Sequence, residues 1–300
     1  MKIAASLIVK NEEKVLVKCL DTLKGFDEIV VCDTGSEDKT VKIAKKYTKK
    51  VFTDYKWNDN FAEARNFANS KVKSDWILTI DADETLGKGD LKKIRELIKD
   101  TDVDAFYLTV VSDLKKQEHT QPRLYRNCKE VLWKGAIHNY LYAQKINKTK
   151  GLGVVVTYGY SPAHKLDSDR ALRILKKELT KDPNLVREKF YLAREYVYRQ
   201  DWITASYWYK EYLKKAFWAP EMAEAFLQLS QCYWYLQRGE EARDLCLQAI
   251  KINADFKEAL LLMSEMSGPK NSAKWAKFAE LATDEDVLFM RRKEKTSEYY

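Results

Sequence analysis

The sequence predicts an α/β domain built on a mostly parallel, doubly wound sheet, followed by an all-α array of helical repeats. Three observations carry this. Short apolar runs alternate with helical patterns over residues 1–166. Strand signals then stop, and Tyr, Trp, Leu and Ala recur at helical spacing from position 167. That second stretch also aligns on itself with a period of about 34 residues.

Residues 3–9 form the first apolar run, followed by Lys10-Asn11-Glu12-Glu13 and a helical face made by Val15, Leu16, Cys19, Leu20 and Leu23. Residues 28–32 give a second strand. Asp33-Thr34-Gly35-Ser36-Glu37-Asp38 is turn chemistry leading into a helix over 39–47. A short third strand covers 51–53, and Asn60 opens another helix with Glu63 as its capping-box partner.

Residues 77–80 read as a buried strand that delivers Asp81-Ala82-Asp83-Glu84 to the carboxyl edge of the sheet, where α/β proteins place their ligands. Carboxylates gathered there are costly unless a cation sits among them. On extended backbone Asp81 and Asp83 point the same way, and hard oxygen ligands suit Mg²⁺ or Mn²⁺ bridged to a diphosphate. The competing reading makes Asp83 the cap of the next helix, expected over 87–99. A strand over 105–111 follows. Residues 121–142 mix aromatic and basic side chains in the manner of substrate-facing loops or antiparallel edge strands. A last strand over 151–160 is broken by Ser161-Pro162.

In the helical region Ala193, Ser230 and Ser264 are spaced 37 and then 34 positions, and Ala205, Ala242 and Ala276 repeat the same offsets. Leu192, Leu229 and Met263 precede the first series, and Tyr196 and Tyr233 follow it by three. Small residues at the crossing of paired helices, at this period, are the tetratricopeptide signature. An irregular helical bundle is the competing reading. The expected domains are therefore 1–166, a repeat region 167–285, and a charged tail 286–300.

Composition narrows the classes further. No apolar run approaches eighteen residues and no secretory leader opens the chain, so neither a membrane span nor export is expected. Five cysteines, an odd number without a CxxC pair, fit reduced cytoplasmic thiols better than a disulfide scaffold or zinc site. The net charge of +8 would favour a polyanionic acceptor or a membrane surface, and it also describes a lysine-rich solvated surface.

Asp33, Arg65, Asp81 and Asp83 can form one site: an acid for a base or ribose, a guanidinium for a diphosphate, and an acid pair for a metal. These residues also carry a resemblance. Ile8-Val9-Lys10-Asn11-Glu12, the run from Val31 to Thr40, Phe61-Ala62-Glu63-Ala64-Arg65-Asn66 and Ile80-Asp81-Ala82-Asp83-Glu84 resemble successive motifs of the family 2 glycosyltransferases. Arg123-Leu124-Tyr125-Arg126-Asn127 and Gly135-Ala136-Ile137-His138 are similar to later motifs of the branch with tetratricopeptide repeats behind the catalytic domain. The resemblance implies a GT-A fold, a nucleotide-activated sugar as donor, most often a UDP-sugar, and inversion at the anomeric carbon. It places Asp33 on the uracil, Arg65 on the nucleotide, and Asp81 on the ribose or metal. Ala82 lies within the same donor-binding motif. Asp83 would hold Mn²⁺ or Mg²⁺, with His138 or His164 as a further ligand, and Asp83 and His138 stand as the catalytic candidates.

The chain departs from that pattern twice. Asn139 stands where the branch commonly has a glutamate, and Thr157 where it commonly has a histidine. A neutral amide cannot accept a proton, although a thiol acceptor would need a weaker base. The resemblance leaves the acceptor open between a peptide or protein, a glycan and modified DNA. The repeats would recruit it, or support a homodimer or a protein partner. A non-enzymatic tetratricopeptide adaptor on a degenerate nucleotide-binding domain is the alternative.

Overall fold

Strand β1 (Ile3–Val9) takes up the first apolar run and is buried along almost its whole length. In this computed structural model, which describes residues 1–99, 101–112, 118–147, 152–162 and 167–283, the chain divides into units Met1–Ser168 and Asp169–Tyr300. Around β1 lie β2 (Glu28–Asp33), β3 (Val51–Phe52) and β4 (Trp76–Thr79), all parallel. They alternate with α1 (Leu16–Thr22), α2 (Thr40–Ala44) and α3 (Phe61–Ser70). Helix α2 is shorter than its 39–47 pattern. Helix α3 begins at the expected capping box, with Asn60 Oδ1 accepting from the Glu63 N–H at 3.0 Å and Asn60 Nδ2 donating to Glu63 Oε1 at 2.9 Å.

Past β4 the sheet becomes mixed. Strands β5 (Glu84–Leu86), β6 (Ala105–Ser112), β7 (Glu118–Arg126) and β11 (Val155–Tyr158) extend it in the order β3-β2-β1-β4-β7-β6-β11-β5, with β10 (Ile146–Asn147) beside β6. β7 runs antiparallel to both β4 and β6, and β5 antiparallel to β11. Only a tight turn, closed by the Glu84 N–H on the Asp81 carbonyl at 3.0 Å, separates β4 from β5. A turn of that kind spans under about 7 Å, whereas four strand spacings in a flat sheet need about 19 Å. The sheet therefore curls into a half-barrel, and the acidic stretch is the seam that brings its far edge back to β4.

Three expectations are corrected here. Residues 81–84 are a turn and not extended backbone, so strand alternation does not align Asp81 with Asp83. The helix after them, α4 (Asp90–Leu97), starts behind β5 with Gly89 as its N-cap residue at φ 89°, so Asp83 caps no helix. Residues 121–126 belong to a central strand instead of a loop or edge. Tyr107 pairs with Pro122 and Phe106 with Leu124, leaving Arg123 as the extra residue of a bulge. A bulge accommodates proline inside a sheet and re-aims the neighbouring side chain. The rest of the aromatic segment forms a small hairpin, β8 (Leu132–Lys134) with β9 (Tyr140–Tyr142).

Among the described residues of the second unit α5 (Arg170–Lys181) precedes three helical hairpins. They are α6 (Val186–Tyr198) with α7 (Trp202–Leu213), α8 (Ala219–Tyr235) with α9 (Gly239–Ile252), and α10 (Lys257–Met266) with α11 (Pro269–Leu281). Gln200 and Gln237, 37 positions apart, occupy the first two hairpin turns with the same left-handed backbone, φ 58° and 61°. Ala193, Ala205, Ser230 and Ala242 are fully buried, and Ser230 Oγ donates to the Ala242 carbonyl at 2.6 Å. In the third hairpin Ala279 is the buried small residue of α11, and Ala276 is half-buried. Among the described residues no helix is long and apolar enough to cross a membrane.

Candidate active site at the carboxyl edge of the sheet

The loops after β1 and β2 are laced to each other. The Asn11 N–H donates to Ser36 Oγ (2.9 Å), the Glu37 N–H to Asn11 Oδ1 (2.9 Å), the Glu12 N–H to Thr40 Oγ1 (2.7 Å) and the Glu13 N–H to Asp38 Oδ2 (3.0 Å). Asn11 adopts φ 57° to make this possible. Much of the polar chemistry in these two motifs therefore builds a rigid rim. Asp33, the last residue of β2, is 4% exposed. Its Oδ2 accepts from the N–H groups of Gly35 (3.1 Å) and Ser36 (3.0 Å), while Oδ1 is buried without a partner.

Two strands away, Asp81 lies between two arginines. Arg65 Nη2 from α3 donates to Oδ1 at 2.8 Å, and Arg123 Nη1 from the β7 bulge to Oδ2 at 3.4 Å. Burial alone would raise the Asp81 carboxyl, but the two guanidiniums outweigh it and hold the group below the ordinary carboxylate range. Arg123 Nη2 also donates to Glu84 Oε1 at 2.5 Å, and Glu84 Oε2 accepts the Asp81 N–H at 2.8 Å. Burial is the largest influence on Glu84 and pushes its carboxyl up, with Arg123 opposing. Arg65 Nε and Nη1 and Arg123 Nε are buried with no partner.

Helix α3 is fixed to the β8 hairpin by Asn66, which both donates to the Trp133 carbonyl and accepts its N–H, each at 2.9 Å. Trp133 is 6% exposed, lies under the Arg65 guanidinium at 5.2 Å, and donates Nε1 to Tyr125 Oη at 3.0 Å. Trp133 is thus a core side chain that positions Arg65 and presents no face for a sugar.

Ala82 is buried, and Asp83, half-buried, accepts the Gly159 N–H on its carbonyl at 2.9 Å, which ties the turn to the end of β11. Beside it, Glu12 and Ser161 line a cavity of about 340 Å³ at the loop ends. Burial, then the charges of Asp83, Asp81 and Asp38, push the Glu12 carboxyl up to about 7, against a hydrogen bond from Ser161 Oγ.

His138 is exposed on the turn between β8 and β9, at φ 48°. Asn139 follows it, half-buried, and Thr157 pairs with Thr85 in the sheet. His164 lies outside the described residues. Among the described residues no three His, Cys, Asp or Glu side chains converge as metal ligands. Asp81 does not fit a metal, because both its oxygens face arginines. Asp83 fits a hard cation that takes few protein ligands and completes its shell with diphosphate oxygens and water.

Arg123 and Glu12 are the residues whose place in the site the sequence left unread. Arg123 stood in a motif without a role, since the bulge that aims it has no signal beyond Pro122. Glu12 carried only its position after the first strand.

The sequence profile of Glycosyl transferase family 2 matches residues 6–161. The SPbeta prophage-derived glycosyltransferase SunS of Bacillus subtilis is 29% identical over 206 residues, 64% of this chain and 49% of SunS. A TPR repeat-containing protein of Synechococcus elongatus is 42% identical over 87 residues, 28% of this chain and 21% of that protein. The chain thus spans about half the length, or less, of these curated relatives. Among solved structures, S. aureus TarS is similar over 88% of this chain and 55% of its own, at 16% identity and a TM-score of 0.45.

Proposed function

The chain belongs to glycosyl transferase family 2, and from that premise we propose that it binds a nucleoside diphosphate sugar, with uridine as the nucleoside, across the edge from Asp33 to Asp83. It would pass the sugar to an acceptor with inversion. The observation that carries this is the row of buried, unpartnered polar atoms: Asp33 Oδ1, Arg65 Nε and Nη1, and Arg123 Nε. Leaving such groups unmade costs about 1–3 kcal/mol each. A ligand with an imide donor at one end and phosphate oxygens at the other satisfies both kinds. β2 and β4 flank β1, so these groups sit about 10 Å apart, a fitting length for a nucleoside diphosphate.

In this reading Asp33 accepts from the base, and Arg65 faces the phosphates with Asp81 holding it in place. Arg123 serves as the buried cation between Asp81 and Glu84. Ala82, small and buried, leaves room at the turn. Asp83 would hold Mn²⁺ or Mg²⁺, with His138 or His164 as the further ligand, and the ion supplies Lewis acidity to the departing diphosphate. Charge on that leaving group is also met by Arg65. Asn139 cannot serve as base, so acceptor deprotonation falls to another group or to an acceptor that ionises near neutral pH. The acceptor is a polypeptide, a glycan or modified DNA.

A panel of nucleotide sugars tests this by thermal unfolding, since bound donor raises the melting temperature by mass action. UDP-sugars should raise it and guanosine or cytidine analogues should not. Equal effects, or none, would contradict the assignment of the nucleoside.

A further inference from the structure

The chain holds no arginine before Arg65, and many of its early lysines gather on two neighbouring helices. Residues 39–50 contain six lysines and no acid. Helical hydrogen bonds continue past α2, from the Lys45 N–H to the Val41 carbonyl at 3.1 Å and from the Thr48 N–H to the Ala44 carbonyl at 3.2 Å. Thr40 and Ala44 are fully buried on the inner side of this stretch, while Lys39, Lys42, Lys45, Lys46 and Lys49 are exposed. Lys42, Lys45, Lys46 and Lys49 follow the i, i+3, i+4, i+7 spacing that puts side chains on one helix face.

Helix α1 lies alongside. The Lys39 N–H donates to Glu13 Oε2 at 3.1 Å near the start of both helices, and Tyr47 Oη to Asp21 Oδ1 at 2.9 Å near their ends. The two therefore run side by side in the same direction. Lys14 and Lys18 are exposed there, with Val17, 43% exposed, between them. The neighbouring acids are engaged: Asp21 pairs with Lys24 at 2.8 Å, and Glu13 and Asp38 accept backbone N–H groups. Lys24 and Lys50 have ion-pair partners, Asp21 and Glu28, but the other seven lysines of this face have none among the described residues. Lys42 and Lys46, like Lys45 and Lys49, are like charges one turn apart, which destabilises a helix in water. An anionic surface reverses the sign of that effect.

The side chains select among polyanions. Arginine is the residue that grips phosphates and base edges with two parallel hydrogen bonds, and this face has only lysines, which act as hydrated point charges. Its aromatic ring, Tyr47, is half-buried, bonded to Asp21 and covered by Lys24 Nζ at 5.8 Å, so it offers no platform for a base. Two parallel helices carrying point charges fit the headgroup plane of a bilayer that contains anionic lipids.

We propose that the outer face of α1 and α2 docks on an anionic membrane surface, with Lys42, Lys45, Lys46 and Lys49 against the lipid headgroups and Lys14, Lys18 and Lys39 at the margin. β1, β2 and β3 are adjacent and parallel, so right-handed crossovers put both helices on one face of the sheet. Docking there leaves the carboxyl edge with Asp33 and Asp83 uncovered, and it is independent of what that edge binds.

Co-sedimentation of the full chain with lipid vesicles tests this. Phosphatidylcholine vesicles with about 30% phosphatidylserine should bind the chain at about 0.1 M salt and release it at about 0.5 M, while phosphatidylcholine alone should not bind it. Lys42→Gln/Lys45→Gln/Lys46→Gln/Lys49→Gln should bind at least about a hundredfold more weakly, at about fivefold per lysine, with a melting temperature within about 2 °C of wild type. Lys251→Gln/Lys270→Gln/Lys274→Gln/Lys277→Gln removes the same charge from exposed positions of the second unit and should bind within about threefold of wild type. Equal losses in the two variants overturn the proposal, because net charge alone then explains the binding. Binding to neither kind of vesicle, or to both alike, overturns it as well. Tighter binding of an about 30-base-pair DNA duplex than of the anionic vesicles, per negative charge, overturns it in favour of nucleic acid.

Discussion

Arg123 and Glu84 are ion-paired at 2.5 Å, although their strands, β7 and β5, are separated by two others in the sheet. The pair exists because the turn at 81–84 brings the far edge of the sheet back to β4. The Arg123 and Glu84 side chains are 7% and 4% exposed. Removing one partner of such a pair leaves an uncompensated buried charge. Arg123→Ala should therefore lower stability by ~3–5 kcal/mol, read as a shift of the urea midpoint at constant m-value. Replacing both residues, as in Arg123→Met/Glu84→Leu, should recover a large part of that loss. A double variant as unstable as the single one would show that the pair does more than neutralise itself.

Asp33 separates fold from binding at a single position. One carboxylate oxygen holds the Gly35 and Ser36 amides and the other faces no protein donor. Asp33→Asn keeps an oxygen for the turn and puts an amide donor where the free oxygen was. Its melting temperature should stay near wild type, while affinity for UDP falls at least about tenfold, an unpaired buried contact being worth about 1–3 kcal/mol. Unchanged UDP affinity would remove Asp33 from the donor site.

The carboxyls of Asp81 and Glu12 act on stability in opposite directions. Asp81 is depressed in the folded chain, so its contribution is present above the ordinary carboxylate pKa of about 4 and is lost only as the pH falls well below that. Glu12 is raised from 4.5 to about 7, so its contribution is present below 4.5 and is lost as the pH rises through 7. Glu12→Gln should flatten the decline in melting temperature between pH 4.5 and 7. An identical pH profile for variant and wild type would show that burial does not hold the proton on Glu12.

Ser230 tests the helical repeats. It is fully buried and bonds the Ala242 carbonyl across the second hairpin at 2.6 Å. Ser230→Leu should overpack the crossing and cost about 1–3 kcal/mol, seen as a lower unfolding midpoint for the second unit. Ser264→Leu should cost less, because Ser264, which bonds the Ser272 carbonyl at 2.9 Å, is only half-buried. Equal costs would show that the third hairpin packs as tightly as the second.

Much of this molecule could be read from its residues, for identifiable reasons. β1, β2 and β4 are uninterrupted apolar runs whose burial matches their composition, and α3 announces itself through Asn60 and Glu63. The repeat period is visible because Ala193, Ser230, Ala205 and Ala242 must be small where helices cross. The half-barrel was not legible. β5 has three residues and follows an acidic turn, so no window over it shows a period. β7 carries Pro122 and a buried Arg123, both of which argue against a central strand until the bulge and the Glu84 pair are seen. The partners of Asp81 were not legible for the same reason: they come from α3 and β7, far away in sequence.

The central claim is that Asp83 grips the divalent ion of the sugar donor, with Asp81 committed to Arg65 and Arg123. Calorimetric titration of UDP into the Asp83→Ala chain, with and without Mn²⁺, tests it most directly. The account predicts an unchanged melting temperature, UDP affinity that no longer responds to Mn²⁺, and loss of sugar release from the donor. Manganese-dependent affinity and turnover equal to wild type in that variant would contradict it.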